Sequence, residues 1–180
     1  LHPRVRRQRQ MCIRDRSVRE LCSAVSRECS KYGYEPVMLT DQLCCQAKEA
    51  GSFLASIAKT HCKSGKKLAY IAGGETVVNI TGHGKGGRNQ EIALSAAEGI
   101  KGMSNAAVFS IGSDGTDGPT DAAGGYSDGD TAGVLKNKGI DIFEVLKNND
   151  AYNALKLTEG LIITGPTGTN VNDVSVLLIG

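Results

Sequence analysis

From Ser17 to Tyr32 the apolar positions Val18, Leu21, Cys22, Val25 and Cys29 recur at helical spacing, and Gly33 follows as a natural helix stop. Pro36-Val37-Met38-Leu39 predicts a short strand, after which Asp41 stands where it could N-cap a long helix from Gln42 to His61. Beyond the polar turn Lys63–Lys67, the run Leu68–Ala72 reads as a buried strand, with Thr76–Thr81 as its partner. A helix is predicted from Arg88 to Ala97 and a clear apolar strand over Ala106–Ile111. Short helices follow over Thr131–Asn137, Ile142–Lys147 and Ala151–Lys156, then strands over Leu161–Ile163 and Val174–Ile179. Polar loops occupy Ser113–Gly125 and Thr164–Asp173. Helices alternating with apolar strands predict a layered α/β domain, with no internal repeat.

Composition changes this picture in one place. Hydrophobic residues make up 40% of the 180 and charged residues 22%, the balance of a globular protein. Glycine, at 23 residues, exceeds the usual ~7%, and most of the excess lies between Gly73 and Gly168. Such clustering signals tight turns and close backbone approach. Aromatics are 4% with no Trp, which argues against a stacking platform for nucleic acid.

The net charge of +2 is unevenly placed. Six of the 21 basic residues fall within residues 1–16 beside a single acid, which leaves 15 basic and 18 acidic residues after them. The chain starts at Leu1, and Met11-Cys12-Ile13-Arg14-Asp15 looks like the translation of a sequencing adapter. Residues 1–16 are therefore read as a sequencing artefact or a disordered basic arm, outside the fold argument. The six cysteines form no C-x-x-C pair, so the expectation is reduced thiols and a cytoplasmic protein. No run reaches 18 apolar residues, and no membrane span is expected.

Three loops could carry chemistry, each joined to the end of an apolar strand, where α/β sheets gather ligands. Gly82-His83-Gly84-Lys85-Gly86-Gly87 opens into the helix at Arg88, and it reads either as a phosphate or carboxylate cradle or as a solvated basic turn. It satisfies G-x-G-x-x-G literally, but Glu98 and Asp114 sit at poor offsets for the acid of a dinucleotide fingerprint. Asp114, Asp117 and Asp121 crowd the second loop, as Mg²⁺ or hydroxyl ligands or as plain turn formers. The third loop, Thr164–Asp173, lacks the Gly-Lys-Ser/Thr ending of a Walker A motif. Its hydroxyls and amides either orient a ligand or bind the loop to itself.

In this order, Gly73-Gly74-Glu75-Thr76, Gly86-Gly87-Arg88-Asn89-Gln90-Glu91, Asp114 to Gly124, Asn149-Asp150-Ala151-Tyr152 and Thr164 to Asp173 resemble the C-terminal MOFRL region of class II glycerate kinases. The resemblance implies that residues 68–180 form a MOFRL-type domain. Residues 17–67 would be the helix-strand-helix remnant of a larger, Rossmann-like N-terminal domain, which the site needs for completion and which supplies a catalytic lysine. The implied activity is transfer of the ATP γ-phosphoryl group to the 2-hydroxyl of D-glycerate, with Mg²⁺. By the same resemblance Arg88, Asp114 and Asp117 are the catalytic candidates. Lys85, Gly86, Gly87, Asn89, Glu75, Thr169, Asn170 and Asn172 would bind substrate or nucleotide, and Asp114, Asp117 and Asp121 would hold the metal. The alternatives are an NAD(P)H-dependent hydroxypyruvate reductase and a non-catalytic small-ligand module.

Overall fold

The computed structural model describes residues 18–180. The reading of residues 1–16 therefore lies outside the described residues. A helix α1 covers residues 18–31 and stops at Gly33, whose φ of 81° is the left-handed turn expected there. Then follow β1 (Glu35–Leu43), α2 (Ala47–His61), β2 (Leu68–Gly74), α3 (Arg88–Gly99), β3 (Ala106–Gly112) and β4 (Gly124–Asp128). Three short helices, α4 (Thr131–Asn137), α5 (Ile142–Lys147) and α6 (Ala151–Lys156), precede β5 (Leu161–Ile162) and β6 (Asp173–Ile179). The strands form one mixed sheet in the order β1-β2-β6-β3-β4-β5, parallel only between β1 and β2. The domain is layered α/β, as the alternation of helices and strands predicted.

Helices α2 and α3 cover one face. Leu54 and Ala58 of α2 and Ile92, Ala96 and Ile100 of α3 pack on Leu68, Tyr70, Val108, Leu177 and Ile179. The two helices approach so closely that a Cβ on Gly51 would lie 2.2 Å from the Ile92 carbonyl oxygen, so only glycine fits there. Helix α3 is buried on its other side too, where Ala93, Leu94 and Ala97 meet Ala132, Leu135, Ile142, Ala154 and Leu155 from α4, α5 and α6. The opposite face of the sheet is covered at its middle by α1, with Val18 and Cys22 on Ile71, Val174 and Val176. No described helix is long and apolar enough to cross a membrane.

Three local expectations are corrected. Asp41 caps no helix: β1 runs on to Leu43, α2 starts at Ala47, and the Asp41 carboxylate pairs with Arg19 instead. Thr76–Thr81 is no strand. It makes a single bridge from Val77 to Gln46, and β2 takes β6 as its antiparallel partner. The Lys147 carbonyl at the end of α5 and the Asn149 side chain in the turn after it hold Thr81 and Gly82 apart from the sheet. Strand β4 lay hidden in a glycine-rich stretch, because its Gly124 and Gly125 lack the apolar side chains by which strands are read. A Cβ on Gly124 would sit 1.9 Å from the Ser110 carbonyl oxygen on β3, so the strand needs that glycine.

Candidate functional site

The strand register gathers the three loops. Gly74 at the end of β2 and Gly112 at the end of β3 both pair with Asp173 at the start of β6. The loops after β2, after β3 and before β6 thus emerge side by side at one end of the sheet, as the strand-end argument anticipated.

Arg88, the first residue of α3, stands at their meeting point. Its Nε and Nη2 donate to Oδ2 and Oδ1 of Asp173 at 2.5 and 3.0 Å, and its Nη1 lies 3.0 Å from Oε1 of Glu75. The bidentate fork on Asp173 fixes the guanidinium plane and raises the Arg88 pKa. Asp173 is buried, and burial pushes its carboxyl upward against the downward pull of Arg88. One cation thus faces two carboxylates. Asp173 is a residue that sequence reasoning did not assign to the site. Its signals were its place at the end of the third loop's motif and a carboxylate opening a mostly apolar strand.

Asp117 has a structural task. From the second loop it accepts hydrogen bonds from the Asn89 N–H at 3.1 Å, the Gln90 N–H at 2.9 Å and the Asn89 side-chain amide at 3.2 Å. It thereby caps α3 from outside the helix, where Gly87 at the N-cap has no side chain to do so. Burial raises its pKa, while the backbone N–H donors act to lower it. Asn89, on the buried side of α3, accepts from Ser110 Oγ at 2.5 Å, and Ser110 meets Ser175 Oγ at 2.8 Å. This buried chain of polar groups ties the start of α3 to β3 and β6.

The other two aspartates point elsewhere. Asp114 accepts from the Thr116 N–H at 3.0 Å, and Asp121 accepts from the Tyr152 hydroxyl at 2.8 Å. Lys85 lies over the ring of the same tyrosine, 4.1 Å from its centroid. Among the described residues no three His, Cys, Asp or Glu side chains form a group able to hold a metal ion. Asp114, Asp117 and Asp121 therefore do not make one ligand set.

The glycine loop is closed from behind. The N–H groups of Thr81 and Gly82 donate to Oδ1 of Asn149 at 2.8 and 2.9 Å. That of His83 donates to Oδ1 of Asn148, that of Gly84 to the Asn148 carbonyl, and that of Lys85 to Oδ1 of Asp150. A cradle built of these amides is excluded, because each already has an acceptor. Gly82, Gly84, Gly86 and Gly87 all border the ligand space, the last two where the loop enters α3. Asn149 also donates to Oε1 of Glu91 at 2.8 Å and to the Asn79 carbonyl at 3.1 Å, and it holds a left-handed φ of 56° to do so. Glu91 is buried, and burial raises its pKa. Asn149 and Glu91 stood in the motifs but were not marked as site residues.

The third loop binds itself to the second. Thr167 and Thr169 hydroxyls donate to the Ser113 carbonyl at 2.5 and 3.1 Å, and the Val171 N–H donates to Ser113 Oγ at 2.8 Å. Thr169 and Asn170 are exposed, and Asn172 holds a left-handed φ of 66°. Between the segment after β2, the start of α3 and Gly118-Pro119 of the second loop lies an open cleft of about 650 Å³, with no third-loop residue in its lining. Glu75, Thr76, Arg88, Glu91 and Asn149 provide its polar wall, and Val77, Val78, Ile80 and Pro119 its apolar one.

These features define the class as an α/β domain with a strand-end cleft built around a helix-initiating arginine. The sequence model of the MOFRL family matches residues 68–173, and the chain belongs to that family. It is 50% identical over 167 residues to a D-glycerate 2-kinase of Thermotoga maritima, covering 91% of this chain and 40% of that protein. A glycerate 2-kinase of Pyrococcus horikoshii is 45% identical, with 88% and 37% covered. Two relatives from Agrobacterium vitis, 39% and 38% identical, carry a provisional hydroxypyruvate reductase name. The crystal structure of the Thermotoga maritima glycerate kinase superposes with a TM-score of 0.87 over 91% of this chain and 40% of that one. The chain spans about 40% of the length of the curated relatives it matches.

Proposed function

We propose that this domain is the acid-binding part of a glycerate 2-kinase, which transfers the γ-phosphoryl group of ATP to the 2-hydroxyl of D-glycerate in the cytoplasm. The observation that carries the reading is Arg88. It is held rigid at the start of α3 by Asp173, beside a cleft of a size for a small acid, in a chain 50% identical to a D-glycerate 2-kinase. Three of its five N–H groups are occupied, which leaves two for a carboxylate or for the phosphoryl oxygens. Phosphoryl transfer depends on positioning and charge neutralisation, which a pinned guanidinium supplies.

Charge decides which substrate lies here. The cleft offers one arginine against Glu75 and Glu91, with Asp173 behind it. A triphosphate would face far more repulsion from this wall than a monoanionic hydroxy acid, whose single charge can sit on the remaining N–H groups of Arg88. We assign the cleft to glycerate. The nucleotide phosphates would then need cations from outside it, among them the lysine expected in the portion of the relatives that this chain does not span. Mg²⁺ would enter bound to the nucleotide rather than on the three aspartates. A hydride-transfer reading has less support. The amides of the G-x-G-x-x-G stretch from Gly82 to Lys85 are engaged with Asn148, Asn149 and Asp150, not turned to a pyrophosphate.

The test is ADP release with D-glycerate by a chimera in which residues 18–180 replace the matching C-terminal part of the Thermotoga maritima enzyme. Turnover is expected, with none from the 180-residue chain alone. Arg88→Lys keeps the charge but loses the fork, and it should lower kcat/KM by about 100-fold (about 2.7 kcal/mol). A folded chimera that consumes NADH with hydroxypyruvate and releases no ADP would refute the kinase reading.

A further inference from the structure

The cleft contains one polar group that the fold leaves unused. Thr76 lines it and is only 3% exposed, and its hydroxyl has no hydrogen-bond partner among the described residues. A buried hydroxyl without a partner is unfavourable by about 1–3 kcal/mol, so a domain that needed only to fold would carry valine at such a position. The backbone around it is fixed. The Glu75 N–H donates to the Leu43 carbonyl at 2.8 Å, the Val77 N–H to the Cys45 carbonyl at 3.1 Å, and the Val77 carbonyl accepts from the Ala47 N–H at 2.9 Å. Thr76 is thus clamped on both sides to the chain joining β1 to α2, with little freedom beyond rotation of its side chain. Its neighbour Glu75 reaches Arg88, and Thr76 and Arg88 line the same cleft.

We propose that the Thr76 hydroxyl is a ligand-binding group of this cleft, which hydrogen-bonds an oxygen of the small hydroxy acid whose carboxylate lies on Arg88. The inference rests on the assignment of the cleft to the acid substrate and adds to it the residue that reads the acid's polar end. A pocket built to hydrogen-bond a substrate oxygen discriminates strongly, because an analogue lacking that oxygen leaves the buried group unpaired. Glycerate should therefore bind better than propionate, which offers the carboxylate alone.

The experiment is an NMR titration of the 180-residue chain with D-glycerate, following the Thr76 methyl and the Arg88 Nε–H signals, with thermal unfolding of each variant alongside. Thr76→Val should bind D-glycerate about tenfold more weakly, a change of roughly 1.4 kcal/mol, while unfolding at a temperature no lower than the parent. Thr76→Ser, which restores the hydroxyl, should recover binding to within about twofold, the difference expected of a lost methyl contact. Unchanged affinity in Thr76→Val, with parent shifts still centred on Arg88, overturns the role of Thr76 and leaves the cleft assignment standing. No binding by the parent chain, or shifts confined to residues away from Arg88 and Thr76, overturns the assignment and the inference together.

Discussion

The loops 81–87 and 164–172 are both rich in glycine and polar groups, and they use glycine for opposite reasons. In the first, glycine provides room. A Cβ on Gly82 would fall 2.3 Å from the Asn148 backbone, and one on Gly84 would fall 2.4 Å from the Asp150 Cβ. In the third, glycine provides conformation. Gly165 and Gly168 have φ of 71° and 74°, and nothing lies within 4 Å of a Cβ at either position. The first loop is a packed element, whose amides from Thr81 to Lys85 are bound by three consecutive residues. The third is an exposed flap fastened at Ser113. The first loop, packed on residues 148–150, thus lines the cleft, while the third loop lies outside its lining and meets the site only through Asp173 on Arg88.

Asn149 is the point at which this contrast breaks most easily. Asn149→Ala removes two acceptor and two donor contacts and strains a left-handed position, so it should cost about 3 kcal/mol in urea unfolding. It should also expose the Thr81 and Gly82 amides to rapid hydrogen exchange while those near Ser113 stay as protected as before. Equal loosening of both loops would show that they are one unit. Gly84→Ala should come next, at about 2 kcal/mol, because the new methyl meets the Asn148 and Asp150 backbone rather than a flexible tip. Gly168→Ala, strained only through its φ, should cost about 1 kcal/mol and leave the first loop's exchange untouched.

The same contrast marks what the sequence could and could not disclose. Elements carried by apolar periodicity were legible: α3 begins at the predicted Arg88, and α4, α5 and α6 have their predicted bounds. Strand β4 was not, because its identity comes from pairing with β3 and not from its own side chains. Thr76–Thr81 has the apolar alternation of a strand but is held elsewhere by Asn149, a partner 68 residues from Thr81. The site was half legible. That Arg88 belonged at a strand-end site followed from its place between a glycine loop and a helix. Asp173, its principal partner, lies 85 residues away, and only strand register brings the two together. The three aspartates misled for a related reason. They lie only three and four positions apart in the chain, yet one caps α3, one forms a turn and one meets Tyr152.

The smallest expected effect tests whether the packed side carries its strain as buried charge. Glu91 accepts from Asn149 at 2.8 Å through Oε1, an atom that glutamine would also present. Burial raises the Glu91 pKa above its ordinary value of 4.5, so the folded protein holds that proton more tightly than the unfolded chain. Stability from this group is therefore fully present below pH 4.5 and is lost as pH rises through the folded value. Glu91→Gln carries no charge at any pH. Its unfolding temperature should match the parent's near pH 4 and exceed it by a margin that grows toward neutrality. Asp117 and Asp173 are common to both proteins, and the Asp117 charge, which also raises the Glu91 pKa, acts in the same direction as burial. A margin that shrinks as pH rises would mean that the Asn149 hydrogen bond and the Lys48 charge outweigh burial. The clamp would then draw stability from the ionised carboxylate rather than tolerate it.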